Sequence, residues 1–116
     1  MARELETVDG ENWKAFTEAP AAVLVLGKTD CDNCLRYGSE LTEFLATDRE
    51  FGDVRFGKMM LDQRGLIDFK RANPWLAEVD ALPFTVIYVG GERTKSFAGG
   101  GVDRLLSRLR RIGARA

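Results

Sequence analysis

The chain has 116 residues, of which 45% are hydrophobic and 30% charged, and its formal net charge is −1. This length and composition predict one globular domain over residues 1–116, with a core of its own. The near-neutral charge gives no general electrostatic basis for binding nucleic acid or an anionic membrane surface. Because the chain contains no histidine, catalysis by a Ser–His or Cys–His pair, or by a histidine-bound metal, is excluded.

The first segments of the chain predict a short strand, a short helix and a buried strand. Residues 5–8 fit a short edge strand, and Asp9 is a suitable N-cap for a helix that ends near Pro20. Residues 21–26 are all apolar, the pattern of a strand that is buried on both faces. Residues 1–12 are acidic and lack the apolar core of a secretion signal. We therefore expect a cytoplasmic protein with no membrane partner. We also expect a monomer.

An amphipathic helix and a second strand follow. Residues 27–30 form a loop, and from Cys34 onward the apolar residues recur at helical spacing. Residues 54–61 fit a strand, and residues 65–72 fit a short helix that ends before Pro74. The cysteines of the chain therefore lie at the start of a helix that follows a buried strand.

The last third of the chain predicts a hairpin and a closing helix. Residues 84–89 form the strongest strand, and Gly90-Gly91 is a tight turn into residues 94–98. Residues 102–112 form a helix with one apolar face. The other face carries arginines, which fit solvent exposure better than an acidic partner because cations are favourable near a helix C-terminus in any case. These arginines are Arg104, Arg108, Arg111 and Arg115. Together the elements predict an α/β fold, a mixed sheet of four to five strands with helices on both faces.

The two cysteines of the chain, Cys31 and Cys34, are separated by Asp32 and Asn33. At this spacing one thiol can attack a disulfide and the other can resolve the mixed disulfide. Cys31, at the helix end where unpaired N–H groups stabilise a thiolate, is the candidate nucleophile. Cys34, on the buried face, is the candidate resolving thiol. A structural disulfide is a poor explanation, since so short a loop constrains little of the unfolded chain.

Alternative explanations of the cysteine pair lead to a different chemistry or to none. The two residues could be ordinary buried cysteines. A zinc site would need two more ligands, from Asp30, Asp32 or a second chain, and an iron–sulfur cluster shared across a dimer has the same requirement. We predict no metal and no cofactor. Asp30 and Asp32 oppose the helix dipole and are expected to raise the pKa of the Cys31 thiol, which predicts a reducing pair, unless one of them only caps the helix.

In the order of these motifs, the chain resembles the thioredoxin family over nearly its whole length. The matching parts, besides Cys31–Cys34 and the final helix, are Asp62-Gln63 after a strand, Leu82-Pro83 before an apolar strand, the Gly91-Glu92 hairpin and Gly99.

The resemblance implies a thioredoxin fold and a cis Leu82–Pro83 bond beside the cysteines. It also implies a groove shaped by Leu82, Pro83 and Gly99, in which the backbone before the proline pairs with an extended substrate. The implied activity is thiol–disulfide exchange that reduces protein disulfides. A thioredoxin reductase or a low-molecular-weight thiol would supply the electrons.

Several positions depart from the family pattern. Asp30 replaces the aromatic residue that usually precedes the first cysteine, and Asp32-Asn33 replaces the common Gly-Pro. Val25 falls where the family has a buried carboxylate, so Lys58 lacks its usual neighbour. Without that acid, we expect slow turnover on generic disulfides. The alternative function is a thioredoxin-like binding or redox-sensing module with poor turnover.

The segment of residues 65–82 is longer than is usual in the family. It contains Trp75, which either covers the cysteines in place of the missing aromatic residue or, more typically for Pro-Trp-Leu, anchors the core.

Overall fold

A mixed sheet of five strands, in the order β1-β3-β2-β4-β5, organises the chain. The computed structural model describes residues 3–113, so Arg115 of the predicted arginine face lies outside the described residues. The strands are β1 (Glu6–Thr7), β2 (Ala21–Gly27), β3 (Arg55–Met60), β4 (Phe84–Val89) and β5 (Glu92–Ala98). The helices are α1 (Trp13–Thr17), α2 (Asp32–Thr47), α3 (Ile67–Ala72) and α4 (Val102–Arg111), with a 3₁₀ helix at Pro74–Glu78.

The strand β2 occupies the centre of the sheet, as its uninterrupted apolar sequence predicts. It pairs in parallel with β3 and antiparallel with β4, and from Ala22 to Gly27 every residue is buried. This register sets Val25 opposite Lys58 on one side and opposite Thr85 on the other. The parallel strand β1 and the antiparallel strand β5 lie at the two edges.

Helices cover both faces of the sheet, and each face has its own core. On one face, α2 and α4 contribute residues such as Tyr37, Leu41 and Leu105, which cluster with Val23 and Ile87 of the sheet. On the other face, Phe16 of α1 and Phe69 of α3 pack against residues that alternate with the first set, including Leu24 and Val86. The predicted α/β architecture is confirmed. None of the helices in residues 3–113 has the length and apolar character needed to cross a membrane.

One local prediction is wrong. The helix α1 begins at Trp13, with Asn12 as its N-cap, and not directly after Asp9. The Asp9 carboxylate instead accepts hydrogen bonds from the backbone N–H groups of Glu11 (2.9 Å) and Asn12 (3.0 Å), the turn that aspartate commonly forms with its own following backbone. After the predicted helix end, where no element was predicted, the chain forms the 3₁₀ helix with Pro74 as its first residue.

Candidate active site

Cys31 and Cys34 are joined by a disulfide at the start of α2, with their Cα atoms 5.2 Å apart. Cys31 is the N-cap of the helix, and its Sγ accepts a hydrogen bond of 3.2 Å from the backbone N–H of Cys34. Cys31 is half-buried, whereas only 5% of Cys34 is exposed. The first sulfur therefore lies where the unpaired N–H groups of the helix converge and where a partner can reach it. This arrangement does not fit the alternative of two ordinary buried cysteines.

The loop before the cysteines is tied to the end of β3. The Thr29 hydroxyl donates a hydrogen bond of 2.5 Å to the Asp62 carboxylate, and this bond is the main reason that the pKa of Asp62 lies below its usual range. The N–H of Leu61 donates to the carbonyl of Gly27 at 2.8 Å. These contacts fix the direction in which the chain enters α2, so Asp62, part of the family pattern, positions the cysteine turn.

Gly27, the last residue of β2, supports the buried cysteine. A Cβ atom built on Gly27 would lie 3.0 Å from Cβ and 3.1 Å from Sγ of Cys34. Only a residue without a side chain allows Cys34 to pack so closely on the strand end. Sequence reasoning placed Gly27 in a loop and missed this role. A glycine at the end of an apolar strand is a recognised signal of close approach.

The three predicted groove residues meet beside the cysteine turn. The Leu82–Pro83 bond is cis, and the carbonyl of Pro83 accepts a hydrogen bond of 2.7 Å from the N–H of Gly99, whose φ is +89°. Leu82, Pro83 and Gly99 line one cavity of about 290 Å³ together with Asn33, which lies between the two cysteines. We call this cavity the groove. Asp30 and Asp32 do not line it.

Tyr37, which sequence reasoning treated only as an apolar helix position, forms part of the groove wall. Its ring packs against the backbone of Gly100, where an added Cβ would lie 2.9 Å from Cγ of Tyr37. Burial raises the pKa of the Tyr37 phenol, and the nearby hydroxyl of Thr85 opposes that shift.

The fold of this chain is similar to that of several solved structures. Thioredoxin f2 of Chlamydomonas reinhardtii superimposes with a TM-score of 0.74 at 20% identity, over 95% of this chain and 97% of that one. The thioredoxin of Malassezia sympodialis gives 0.73 at 16% identity, over 96% of this chain and 93% of that one. Thioredoxin O2 of Arabidopsis thaliana gives 0.70 at 18% identity, over 94% of each chain. The protein has the thioredoxin fold.

Sequence comparison gives no comparable match. No model of a known protein family and no curated protein sequence matches the chain. Among the solved structures, a complex of ferredoxin:thioredoxin reductase with thioredoxin f2 contains a chain that is 16% identical to this protein, with a TM-score of 0.74 and 97% coverage of each chain. At these identities the comparisons establish the thioredoxin fold, and the chemistry has to be argued from the residues of the site.

The helix-cap alternative for the two aspartates of this thioredoxin-fold site is wrong. The N-cap of α2 is Cys31, and Asp32 is the first residue of the helix. Asp30 precedes the cap and is exposed, as is Asp32. Both carboxylates therefore lie within one residue of Cys31 without occupying the capping position.

Val25 occupies the position where the family resemblance expects a buried acid. Only 4% of Val25 is exposed, and its neighbours across the strands are Lys58 and Thr85. Lys58 lines a cavity of about 450 Å³ that also reaches Cys34 and Glu43. The resolving cysteine is thus next to a partly polar cavity, while the position expected to hold a buried proton acceptor is apolar.

The indole of Trp75 packs on the opposite side of the sheet from α2. Its ring centroid lies 6.2 Å from that of Phe84, the Arg93 guanidinium stacks 4.5 Å from its centre, and its N–H donates to the Asn73 side chain at 3.1 Å. Trp75 does not line the groove. These contacts fit the core-anchor alternative and not the covering role.

The remaining alternative for the cysteines is a metal site. In the part of the chain that the structure describes, no group of three or more Cys, Asp or Glu side chains is arranged to hold a metal ion. Zinc bound by the two cysteines would therefore lack further protein ligands from residues 3–113 of the same chain.

Proposed function

We propose that this protein is a thiol–disulfide oxidoreductase that reduces protein disulfides, with Cys31 as the nucleophile and Cys34 as the resolving thiol. The observation that carries the proposal is the position of the Cys31 sulfur, which caps α2, is partly exposed and is bonded to a buried second cysteine. The thioredoxin fold supports it, and so does the groove beside the cysteine turn.

The reaction needs only the two cysteines and a substrate disulfide. The Cys31 thiolate attacks one substrate sulfur, and the other substrate sulfur leaves as a thiolate. Cys34 then gives its proton to water or to the substrate thiolate released in the first step, and attacks the Cys31 sulfur. This attack releases the second substrate sulfur as a thiolate and restores the Cys31–Cys34 disulfide. Two electrons pass from the cysteine pair to the substrate. The N–H of Cys34 and the N-terminal end of α2 stabilise the attacking thiolate.

The groove would bind the substrate as a short extended segment. Leu82, Pro83 and Gly99 line the cavity next to Asn33 of the cysteine turn. Pairing of the substrate backbone with the backbone before Pro83 would bring the substrate disulfide to Cys31 with little dependence on substrate side chains.

Asp30 and Asp32 make the pair a reductant. Each carboxylate lies within one residue of Cys31, and like charges disfavour the thiolate. An equilibrium titration against glutathione should therefore give a reduction potential below that of the glutathione couple, and replacing both residues by Asn should raise the potential. A potential well above that of glutathione would contradict this role.

The reductant would be a thioredoxin reductase or a low-molecular-weight thiol in the cytoplasm, acting on the protein as a monomer of one domain. Reductase partnership is supported by the structural neighbour thioredoxin f2, which occurs in a complex with ferredoxin:thioredoxin reductase.

The test is a reductase-coupled assay of protein disulfide reduction with three proteins: the wild type, Cys31→Ser and Cys34→Ser. We expect turnover by the wild type, none by Cys31→Ser, and accumulation of a mixed disulfide through Cys31 in Cys34→Ser. Turnover that survives in Cys31→Ser would overturn the assignment of the nucleophile.

The second candidate function is a binding or redox-sensing module. The apolar environment of Val25, where a proton acceptor would speed the release of the mixed disulfide, favours it. Negligible wild-type turnover, together with a mixed disulfide formed with one particular protein, would support this candidate over the reductase.

A further inference from the structure

Resting on the proposed function, we propose that Arg36 and Arg104 make the groove selective for protein disulfides that carry an acidic side chain within about two residues of the attacked cysteine. The two arginines lie on different elements: Arg36 of α2 lines the groove, and Arg104 of α4 lies beside the groove residue Gly99.

Arg104, on the first turns of α4, is held at the edge of the groove by contacts on two sides. Its guanidinium carbon lies 4.5 Å from the ring centre of Phe97, and its Nη2 donates to the carbonyl of Ala98. The same nitrogen lies 2.9 Å from the position that a Cβ atom on Gly99 would occupy. The charge of Arg104 is therefore fixed next to the backbone of a groove residue, while the side chain remains exposed to solvent.

Arg36 approaches the groove from the other side. It lies in the second turn of α2, two residues after Cys34, is exposed and lines the groove. One cation therefore lies on the helix that begins at the cysteine turn and lines the groove, and a second lies beside Gly99.

Neither cation forms an ion pair within the described chain. The ion pairs of residues 3–113 join Arg3 to Asp48, Arg55 to Glu6 and Arg110 to Glu50, and none includes Arg36 or Arg104. Glu40 also lines the groove but forms no ion pair with Arg36, one turn away. A planar guanidinium is a fork of N–H donors that matches a carboxylate, so an acidic substrate side chain is the complementary partner.

The charges around the cysteines give this selectivity a direction. Asp30 and Asp32 flank Cys31 but do not line the groove, whereas Arg36 lines it and Arg104 lies against the groove residue Gly99. An extended substrate rises about 3.3 Å per residue, so a side chain one or two residues from the attacked sulfur can reach the groove cations. An acidic residue on the opposite side of the attacked cysteine would face the two aspartates and be disfavoured.

The test uses disulfide-bridged peptides that are identical except for one position beside the cysteine, occupied by Asp, Asn or Lys, in two series with that position before or after the cysteine. In one of the series we expect the wild-type kcat/KM for the Asp peptide to exceed that for the Asn peptide by about three- to fivefold at low salt. The preference should shrink as the salt concentration rises. Lys should be disfavoured in that series.

The variants separate this role of the arginines from a structural one. Arg104→Gln and Arg36→Gln should each lower the Asp-to-Asn ratio toward one, and Arg104→Lys should retain part of it. Arg111→Gln is the matched control, because Arg111 is exposed on the same helix, about two turns further along, and it should leave the ratio unchanged. Arg36→Gln provides an independent test if Arg104→Gln fails to fold as judged by circular dichroism.

The outcomes distinguish this proposal from the one on which it rests. A ratio of one in both wild-type series, or a wild-type ratio that neither Arg36→Gln nor Arg104→Gln lowers, would overturn the proposed selectivity and leave the oxidoreductase function standing. If the wild type reduces none of the peptides, both proposals are overturned.

Discussion

Replacing Gly27 by alanine should loosen the packing of the resolving cysteine. The added Cβ atom would lie 3.0 Å and 3.1 Å from the Cβ and Sγ atoms of Cys34, closer than side chains normally approach, and 3.6 Å from the sulfur of Met60. Cys34 is buried in the first turn of α2, so it can move away only if the helix start moves with it. The substitution therefore forces a shift of a few tenths of an ångström in the site.

Two opposing contributions set the size of the effect. Over-packing of a buried site costs about 1–3 kcal/mol, whereas replacing a glycine within a strand by alanine gains about 0.5–1 kcal/mol. The backbone of Gly27 lies in β2 outside the glycine-only region, so it adds no conformational strain. We expect Gly27→Ala to lower the free energy of unfolding by about 0.5–2 kcal/mol.

Urea unfolding of the oxidised and the reduced protein measures this change. Gly38→Ala is the matched control, because Gly38 lies in α2 and the nearest atom to its added Cβ is a methyl group of Leu5 at 4.0 Å. That control should gain about 0.5–1 kcal/mol from the better helix propensity of alanine. If Gly27→Ala stabilises the protein as much as Gly38→Ala does, Cys34 does not pack against the strand end as described.

Three further substitutions test the interior of the fold. Val25→Asp should raise turnover on a generic disulfide by about tenfold or more, because it supplies a proton acceptor near Cys34. Val25→Asn is the control and should not raise turnover. An equal gain in both variants would refute the proton-transfer argument. Burial, opposed by Arg93, raises the pKa of Tyr88 to about 12, so the folded protein keeps a proton that the unfolded chain loses, and stability should fall between about pH 10 and pH 12. Urea midpoints across that range should show the fall in the wild type and a smaller one in Tyr88→Phe, and identical profiles would contradict it. Trp75→Phe should lower the free energy of unfolding by about 1 kcal/mol, because it weakens the contacts of the indole with Phe84 and Arg93. Turnover of the folded protein should stay unchanged. A large loss of turnover would show that Trp75 covers the cysteines.

The parts of the fold that the sequence predicts well are those in which one physical signal acts alone. Residues 21–26 are uniformly apolar because both faces of β2 are covered, and the predicted strand agrees with the observed Ala21–Gly27 within one residue. The strand at Phe84–Val89 was predicted with its observed bounds because all six of its residues are aromatic or β-branched. The 3₁₀ helix at Pro74–Glu78 was missed because it buries no residue fully, and so leaves no apolar periodicity.

In the site, too, some features follow from a local sequence signal and others do not. The cysteine pair could be predicted from its spacing, and Leu82, Pro83 and Gly99 could be placed beside it through the family resemblance. The capping role of Cys31 and the supporting role of Gly27 depend on distances between elements that no local pattern encodes. The fixed position of Arg104 likewise depends on the meeting of β5, the glycine turn and α4.

The most direct test of the central claim is alkylation of the fully reduced protein at limiting reagent, with the modified cysteine identified by peptide mass spectrometry. Cys31 is partly exposed at the helix N-cap, whereas Cys34 is buried against Gly27. The account predicts that Cys31 is modified first and that the rate rises with pH as its thiolate forms. Modification of Cys34 first, or of both cysteines at equal rates, would contradict it.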